Sequence, residues 1–354
     1  MELMPGLPDD AAYQCLLRVT YDKLATVASV CKGWRGEIEL PEFRRRRREI
    51  CKSQKLVVVA QATVGLNPCC PLAKYRTPVY RFSLLEPETG CWSELALPPE
   101  FEHGLPMFCQ VASVGLALVV LGGMDPVTWE VSSSVFIFDF ISGTWRRGHD
   151  MPGSRRQFFG CTSDSDRTVY VVGGHDDDKN ALKSTMAYDV AKDEWVLLPD
   201  MARERDECKT IFQRGKLHVV GGYCTERQGQ FETSAEVFDI ATCQWEQVQE
   251  NFLETPTCPR TCIGGNDGQL YTCRGSDVVA LKESKWQTVA KLPADVGNVA
   301  YLVQWLDKLL AIGSAGFGQF CKAFVLDLKS YKWTEVRTPE EFSGPVQSGC
   351  YLEI

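Results

Sequence analysis

The residue types that carry proton transfer and metal chemistry are scattered along this 354-residue chain. The histidines stand at least 26 residues apart, and the spacing Cys258-x3-Cys262, with Cys273 further on, lacks the second Cys or His pair of a zinc site. A copper oxidase would need clustered His and Tyr ligands, which this sequence does not offer. We therefore expect no cofactor, no metal site and no catalytic residue, and we interpret the histidines as structural: His103, His149, His175 and His218.

One acidic segment, His175-Asp176-Asp177-Asp178, superficially resembles a metal-binding loop. It lacks the alternating oxygen ligands and the closing Glu of a calcium loop. A solvated loop is therefore favoured over a metal site.

Five adjacent arginines, Arg44 to Arg48, form the most basic segment of the chain. They allow three interpretations: a solvated helix face or linker, a nuclear-import signal, or a nucleic-acid contact. The net charge of −8 for the whole chain argues against binding that works by phosphate neutralisation. We expect no nucleic-acid partner.

The composition and the length of the apolar segments limit the classes of protein to which this chain can belong. With 44% hydrophobic and 24% charged residues, the chain has ordinary globular composition. The most apolar segment, 111–121, is shorter than the ~20 residues that span a bilayer, so we expect no membrane partner. The chain opens with neither a basic nor an apolar leader, so its 16 cysteines are interpreted as reduced thiols of a cytoplasmic and/or nuclear protein.

Tryptophan and glycine reveal an internal repeat. Six of the nine tryptophans recur at intervals of 53, 50, 50, 41 and 47 residues, and three of them follow a β-rich segment that ends in two glycines. The repeat therefore has a period of about 50 residues. Its members are Trp92, Trp145, Trp195, Trp245, Trp286 and Trp333, with the pairs Gly122-Gly123, Gly173-Gly174 and Gly221-Gly222.

An aspartate precedes four of these tryptophans by six residues, at Asp139, Asp189, Asp239 and Asp327. An Asp side chain starts a turn by accepting hydrogen bonds from the backbone downstream. The glycines supply unusual dihedrals where the backbone is crowded, and Trp fills the gap between twisted sheets. All three residue types therefore have structural roles in short, turn-separated strands.

About four strands in each 50-residue unit predict the blade of a β-propeller. Six units fit residues 55–354, so the expected fold is mainly β, a six-bladed propeller after a small α-helical module. The segment around Cys350 is similar to the strands that open units at Cys161 and Cys208, but no unit follows it. We expect this C-terminal strand to complete blade one and close the ring.

The first 54 residues have a different pattern, with a net charge of +2 against −10 for the remainder. Leu7-Pro8-Asp9-Asp10 is typical of a helix start, and apolar residues recur at helical spacing after it. So few residues cannot bury enough apolar surface alone. The sequence predicts a helical docking module.

These motifs resemble known families. Gly-Gly, then Tyr/Phe-Asp, then Trp is similar to the kelch repeat, while Leu7-Pro8-Asp9-Asp10, Cys15-Leu16 and the segment Ser29 to Arg35 resemble an F-box. With Ala28-Ser29-Val30-Cys31-Lys32 and the segment Asp200 to Lys209, nearly the whole chain is similar to plant F-box/kelch proteins of the KISS ME DEADLY type. The implied domains are an F-box over 1–45, a basic linker over 46–54 and a kelch propeller over 55–354.

The resemblance implies a non-catalytic substrate receptor. Its helices would dock onto a Skp-type adaptor and cullin in an SCF ubiquitin ligase, and its propeller would hold a client for ubiquitination and degradation. Members of the family are implicated in the turnover of phenylalanine ammonia-lyase or type-B response regulators, which are the implied clients. The implied adaptor-binding residues are Leu7, Pro8, Cys15, Leu16, Val30 and Trp34. Two alternatives stay open: a kelch scaffold without ligase association and, less favoured, a propeller enzyme.

Loops on one rim of a propeller are the natural client-binding elements. Arginines that grip carboxylates and aromatic residues with large contact area supply the candidates. They are Arg155, Arg156, Arg203, Arg205, Arg260, Trp129, His175 and Tyr223. An alternative is that the arginines brace neighbouring blades through ion pairs.

Overall fold

The fold was determined as a computed structural model, which describes residues 3–64 and 78–354. Six four-stranded antiparallel sheets form a ring, confirming the mainly β, six-bladed propeller behind a helical module. Four helices precede the ring: α1 Asp9–Leu16, α2 Tyr21–Ala28, α3 Lys32–Glu39 and α4 Pro41–Glu49.

The blades follow one another along the chain. Blade one contains β1 Lys55–Ala62, β2 Tyr80–Glu86 and β3 Cys91–Leu95. Blade two contains β4 Gln110–Val114, β5 Ala117–Leu121, β6 Val135–Asp139 and β7 Thr144–Gly148, and blade three contains β8 Gly160–Ser163, β9 Thr168–Val172, β10 Thr185–Asp189 and β11 Glu194–Leu198. Blade four contains β12 Lys209–Gln213, β13 Lys216–Val220, β14 Ala235–Asp239 and β15 Gln244–Trp245. Blade five contains β16 Ile263–Gly264, β17 Leu270–Arg274, β18 Asp277–Lys282 and β19 Lys285–Lys291, and blade six contains β20 Asn298–Trp305, β21 Lys308–Ser314, β22 Lys322–Asp327 and β23 Lys332–Val336.

The last strand, β24 Val346–Glu353, belongs to the first blade. It pairs antiparallel with β1 from Lys55↔Glu353 to Gln61↔Val346, and it occupies the inner position of that sheet. The inner strands of neighbouring blades contact one another around the ring. The chain therefore closes its propeller by joining its C-terminal strand to its first one.

The core lies between adjacent sheets. Val119 and Ile137 of blade two, for example, share a buried cluster with Val171 and Tyr188 of blade three. The second strand of a blade is buried along most of its length, so β5 (Ala-Leu-Val-Val-Leu) and β9 (Thr-Val-Tyr-Val-Val) are nearly continuous apolar segments.

The glycine pairs have the conformation that the sequence predicts. Gly173 and Gly174 have φ values of 62° and 83°. A Cβ on Gly173 would lie 2.3 Å from the Arg205 carbonyl oxygen, and one on Gly174 would lie 2.4 Å from that of Gln157. Both the positive φ and the close backbone therefore require glycine here.

The aspartates form the predicted turns. Asp327 Oδ1 accepts hydrogen bonds from the N–H groups of Lys329 (3.0 Å) and Ser330 (2.7 Å), and Asp139, Asp189 and Asp239 accept from the backbone two residues on. The Ser330 N–H, with the other hydrogen bonds, holds the pKa of Asp327 below its usual value. Blade five has instead a two-residue turn, Glu283 and Ser284, with positive φ at both positions.

The repeated tryptophans do more than fill space. Each indole N–H donates to a carbonyl oxygen of the preceding blade or of the connection that leaves it, as Trp195 does to His149 (2.9 Å) and Trp245 does to Pro199 (2.8 Å). Trp92 closes the circle by donating to Arg337 near the C terminus (3.1 Å). The other three bonds join Trp145 to Ala96, Trp286 to Phe252 and Trp333 to Lys291.

Local signals account for the helices. Asp9 and Asp10 lie in the first turn of α1, where their carboxylates stabilise the helix by a favourable interaction with its dipole. Pro41 begins α4, which extends through the arginine run to Glu49, across the proposed domain boundary at 45. Within the described residues, none of the helices has the length and apolar character needed to cross a membrane.

Candidate interaction faces

The propeller has two different rims. The turn rim carries the short turns inside each blade, such as 115–116 and 140–143 in blade two. The loop rim carries the longer connections between the second and third strands and between successive blades, such as 122–134 and 149–159. Loops on a rigid scaffold are where binding residues collect.

The helical module packs against the turn rim at blades one and two. The Tyr21 hydroxyl lies 3.2 Å from Ser93 Oγ, and the Tyr21 N–H donates to Gln54 Oε1 (2.7 Å). Tyr21 also packs edge-on against Phe140 in the turn after β6. The helices are thus held on the face opposite the long loops.

A single apolar core joins the module to the propeller. Leu16, Leu24 and Ile38 of the helices cluster with Val58 of blade one and Phe140 of blade two. This shared core explains how about fifty helical residues are stabilised without a core of their own.

The arginine run is divided between structure and solvent. Arg47 is 1% exposed and donates to the carbonyl oxygens of Leu17 and Val19, which follow α1. Burial lowers the pKa of Arg47 to about 10. Arg45 and Arg46 instead form exposed ion pairs with Glu42. A fully solvated run is therefore wrong at Arg47, which holds α4 against the end of α1.

Four of the proposed adaptor-binding residues are exposed: Leu7, Pro8, Cys15 and Val30, with Leu7 42% and Val30 60% exposed. The assignment of Leu16 to the adaptor-binding surface is wrong, because Leu16 is 1% exposed and belongs to the core shared with the propeller. Trp34 is half-buried, and its indole N–H donates to the Leu3 carbonyl oxygen (2.6 Å). Trp34 thus fixes the N-terminal segment, and the exposed apolar residues among these candidates are Leu7, Pro8, Cys15 and Val30.

The loop rim carries every proposed client-binding residue, but only some are accessible. Trp129 is 58% exposed, and Arg155, in the connection that leaves the same blade, is also exposed. Arg260 is exposed in the connection before blade five, where its Nη2 donates to Asn298 Oδ1 (2.8 Å). Arg203 is partly exposed and forms ion pairs with Glu232 and Glu250.

Arg205 is not a client contact, because it is 1% exposed and its Nε lies 3.1 Å from Oε1 of Glu236, which is 0% exposed. Its Nη1 donates to the Gly221 carbonyl oxygen (2.7 Å) and its Nη2 donates to Ser234 Oγ (2.9 Å). The alternative of a structural brace is the correct one here.

Arg156 is also buried, at 3% exposed, and its assignment to the client surface is likewise wrong. Its Nη1 donates to the Gly173 carbonyl oxygen (3.2 Å), the position that Gly221 has for Arg205. Met186 takes the place in β10 that Glu236 takes in β14, so Arg156 has no carboxylate partner among the described residues. Its Nε is buried without a hydrogen bond, and burial lowers its pKa to about 10.

His175 and Tyr223 lie beneath the rim, at 8% and 6% exposed, and cannot supply large contact area. His175 Nδ1 lies 2.8 Å from Asp206 Oδ2, which joins the loop of blade three to the entry of blade four. The Tyr223 hydroxyl donates to Glu207 Oε1 (2.9 Å), and burial with this bond raises the pKa of Tyr223. Both residues support neighbouring loops.

The sequence reasoning missed a cavity of about 520 Å³ on the loop rim of blade two. It lies between the loop that enters the blade, 96–109, and the loop that leaves it, 149–159. Arg155 is its one lining residue among the proposed client contacts. Among the missed partners, Glu236 had a signal, since it is an acidic residue inside an otherwise apolar strand.

One group of potential metal ligands occurs in the described part of the chain: Glu204, Cys224 and Glu226. Glu204 Oε1 already accepts the Thr225 N–H (2.7 Å), which orients the cluster as a loop contact. The expectation that the protein has no metal site stays a prediction.

Comparison with known proteins agrees with this architecture. The kelch motif family matches residues 107–152, 165–202 and 205–251. Two Arabidopsis thaliana proteins, F-box/kelch-repeat protein At1g80440 and F-box/kelch-repeat protein At1g15670, are 47% and 49% identical to this chain over 100% of both sequences. The solved structure of YjhT superposes with a TM-score of 0.58 at 13% identity, covering 72% of this chain and 90% of that one, which supports the fold alone.

Proposed function

This chain belongs to the F-box/kelch-repeat proteins, and we propose that it is the substrate-receptor subunit of an SCF ubiquitin ligase. Its helical module binds a Skp-type adaptor and through it the cullin, and its propeller holds a client protein. The chain performs no chemistry itself. It raises the local concentration of client lysines beside the ubiquitin carrier.

This proposal rests on the separation of the helical module from the loop rim. The helices share a core with the turn rim, while the long loops lie on the other rim. One protein can therefore hold an adaptor and a client at once without competition between them. The shared core also fixes the orientation of the client relative to the ligase.

Two client classes are proposed from resemblance to the KISS ME DEADLY type: phenylalanine ammonia-lyase and type-B response regulators. Purified candidates of each class, tested separately for capture by the full chain, decide between them. The protein is proposed to work in the cytoplasm, the nucleus or both. Because Arg47 is structural, a test of nuclear import should replace Arg44, Arg45, Arg46 and Arg48 with Gln and retain Arg47.

Co-purification with a recombinant Skp-type adaptor tests the function. Val30→Asp should abolish adaptor binding, because Val30 is an exposed apolar residue of the module at 60% exposure. Val127→Asp is the matched control, since Val127 is also 60% exposed but lies on the loop rim. Failure of the unaltered chain to bind the adaptor would instead favour the kelch scaffold without ligase association.

A further inference from the structure

The cavity on the loop rim of blade two has an aromatic floor. The rings of Phe101 and Phe136 pack 4.6 Å apart there, and Val120 lies beside them. Its volume of about 520 Å³ falls within the range of sites that take a ligand or an anchoring side chain.

Exposed apolar side chains lie at the edge of this cavity. Trp129, between the lining residues Thr128 and Glu130, is 58% exposed, and Val127 is 60% exposed. Asp125 Oδ1 accepts the N–H groups of Val127 (2.8 Å) and Thr128 (2.7 Å), which fixes this loop in place. An exposed Trp on such a loop beside a cavity is typical of an interface anchor.

The charged groups in the wall are mainly acidic. Arg147 is neutralised by Asp150, to which its Nη2 donates at 2.9 and 3.0 Å. Glu100 and Glu130 are exposed and form no ion pair within the described residues, and Asp125 adds a third carboxylate. Arg155, on the side of the connection to blade three, is the remaining cation.

The loop rim as a whole also has a negative net charge. Its connections, with residues 63–79 left aside, contain 20 acidic and 9 basic residues, a net charge of −11. The whole chain has a net charge of −8, so all its other residues, with Lys74 and Arg76 of the segment left aside among them, together carry +3. The acidity of the protein is thus concentrated on the rim that faces away from the helices. Those connections are 96–109, 122–134, 149–159, 173–184, 199–208, 221–234, 246–262, 275–276, 292–297, 315–321 and 337–345.

We propose that the cavity of blade two, with Trp129 at its edge, seats a lysine- or arginine-bearing segment of the client. This inference rests on the proposed function and names the chemistry of the partner. The acidic rim draws the basic segment in and disfavours acidic partners. An alkyl stem packs on the Phe101–Phe136 floor, its cation reaches Glu100 or Glu130, and a second cation stacks on the Trp129 ring.

Peptide binding to the full chain in complex with its adaptor tests the proposal. The probes are two fluorescent peptides of about twelve residues that differ only in carrying lysines or glutamates at the same positions among glycine, serine and one central phenylalanine. We expect the lysine peptide to bind about tenfold more tightly, and this preference to shrink as salt is raised from about 50 to 200 mM.

A matched pair of variants locates the site. Trp129→Ala with Glu130→Lys should weaken lysine-peptide binding by about tenfold. The control, Leu197→Ala with Asp166→Lys, makes the same change of charge and also shortens an exposed apolar side chain, away from the loop rim. It should change the affinity by less than about twofold.

Equal affinity for the two peptides, or equal loss in both variants, would overturn the proposal. Adaptor co-purification is read on the same samples. Its loss would refute the ligase role, while the peptide comparison, repeated on the free chain, would still decide what the cavity binds.

Discussion

Arg205 and Glu236 form an ion pair in which both side chains are buried, at 1% and 0% exposed. Glu236 also accepts the N–H of Ala202 (2.8 Å), so the pair joins the connection before β12 to a strand of blade four. This contact holds in place the loops that form the rim. Its counterpart one blade earlier, Arg156, has Met186 where Glu236 would be.

Arg205→Met should destabilise the protein by about 3–5 kcal/mol, because it leaves Glu236 buried without its cation. Arg156→Met is the internal control. It removes a buried cation that has no carboxylate partner in the described structure, and it should cost about 1 kcal/mol or less. Urea unfolding of the two variants measures the difference, and equal losses would mean that the pair adds nothing beyond side-chain packing.

Trp195→Phe should destabilise the propeller by about 1 kcal/mol, because it retains most of the apolar contact with Tyr188 but loses the hydrogen bond to the His149 carbonyl oxygen. Trp195→Ala should cost about 3 kcal/mol, since the contact is lost as well. Trp129→Phe, at an exposed position, should leave the unfolding midpoint unchanged. A midpoint for Trp195→Phe equal to that of the unaltered protein would show that the interblade hydrogen bonds are not stabilising.

Deletion of residues 344–354 should abolish cooperative unfolding of the propeller. It removes β24 and leaves the inner edge of β1 without a partner from Lys55 to Gln61. A synthetic peptide of residues 344–354, added in trans, should restore part of the transition. A truncated chain that retains the full melting transition would contradict closure by this strand.

His218 predicts a specific pH dependence. Burial lowers its pKa from 6.5, so the folded protein keeps the imidazole neutral at a pH where the unfolded chain protonates it. The stabilisation is complete above the unfolded pKa and is lost as pH falls toward the lower folded pKa. His218→Tyr, which copies Tyr170 at the same place in β9, should lose less thermal stability between about pH 7.5 and 5.5. Parallel pH curves for the two proteins would argue against this role.

The blades could be predicted because their signals are local. Asp139 and Asp189 form turns with the next few residues, and Gly173 and Gly174 end a strand with the positive φ that favours glycine. The spacing to Trp145 and Trp195 follows from those turns. The period therefore indicates the fold without any knowledge of tertiary contacts.

Local signals do not distinguish the exposed residues of the loop rim from the buried ones. Arg155 and Arg156 are neighbours in sequence, yet one is exposed and the other is 3% exposed, because Gly173 from another segment lies against the second. Leu16 similarly lies on an amphipathic helix whose apolar face could meet either the propeller or an adaptor. Only the packing of distant segments decides these cases.

Hydrogen exchange of the full chain, with and without a purified Skp-type adaptor, tests the separation of the two faces most directly. We expect the adaptor to protect peptides around Leu7, Pro8 and Val30 and to leave the loop-rim peptides 122–134 and 173–184 unchanged. Protection of the loop rim, or the absence of any stable complex, would contradict the assignment of adaptor binding to the helical module and of client binding to the loop rim.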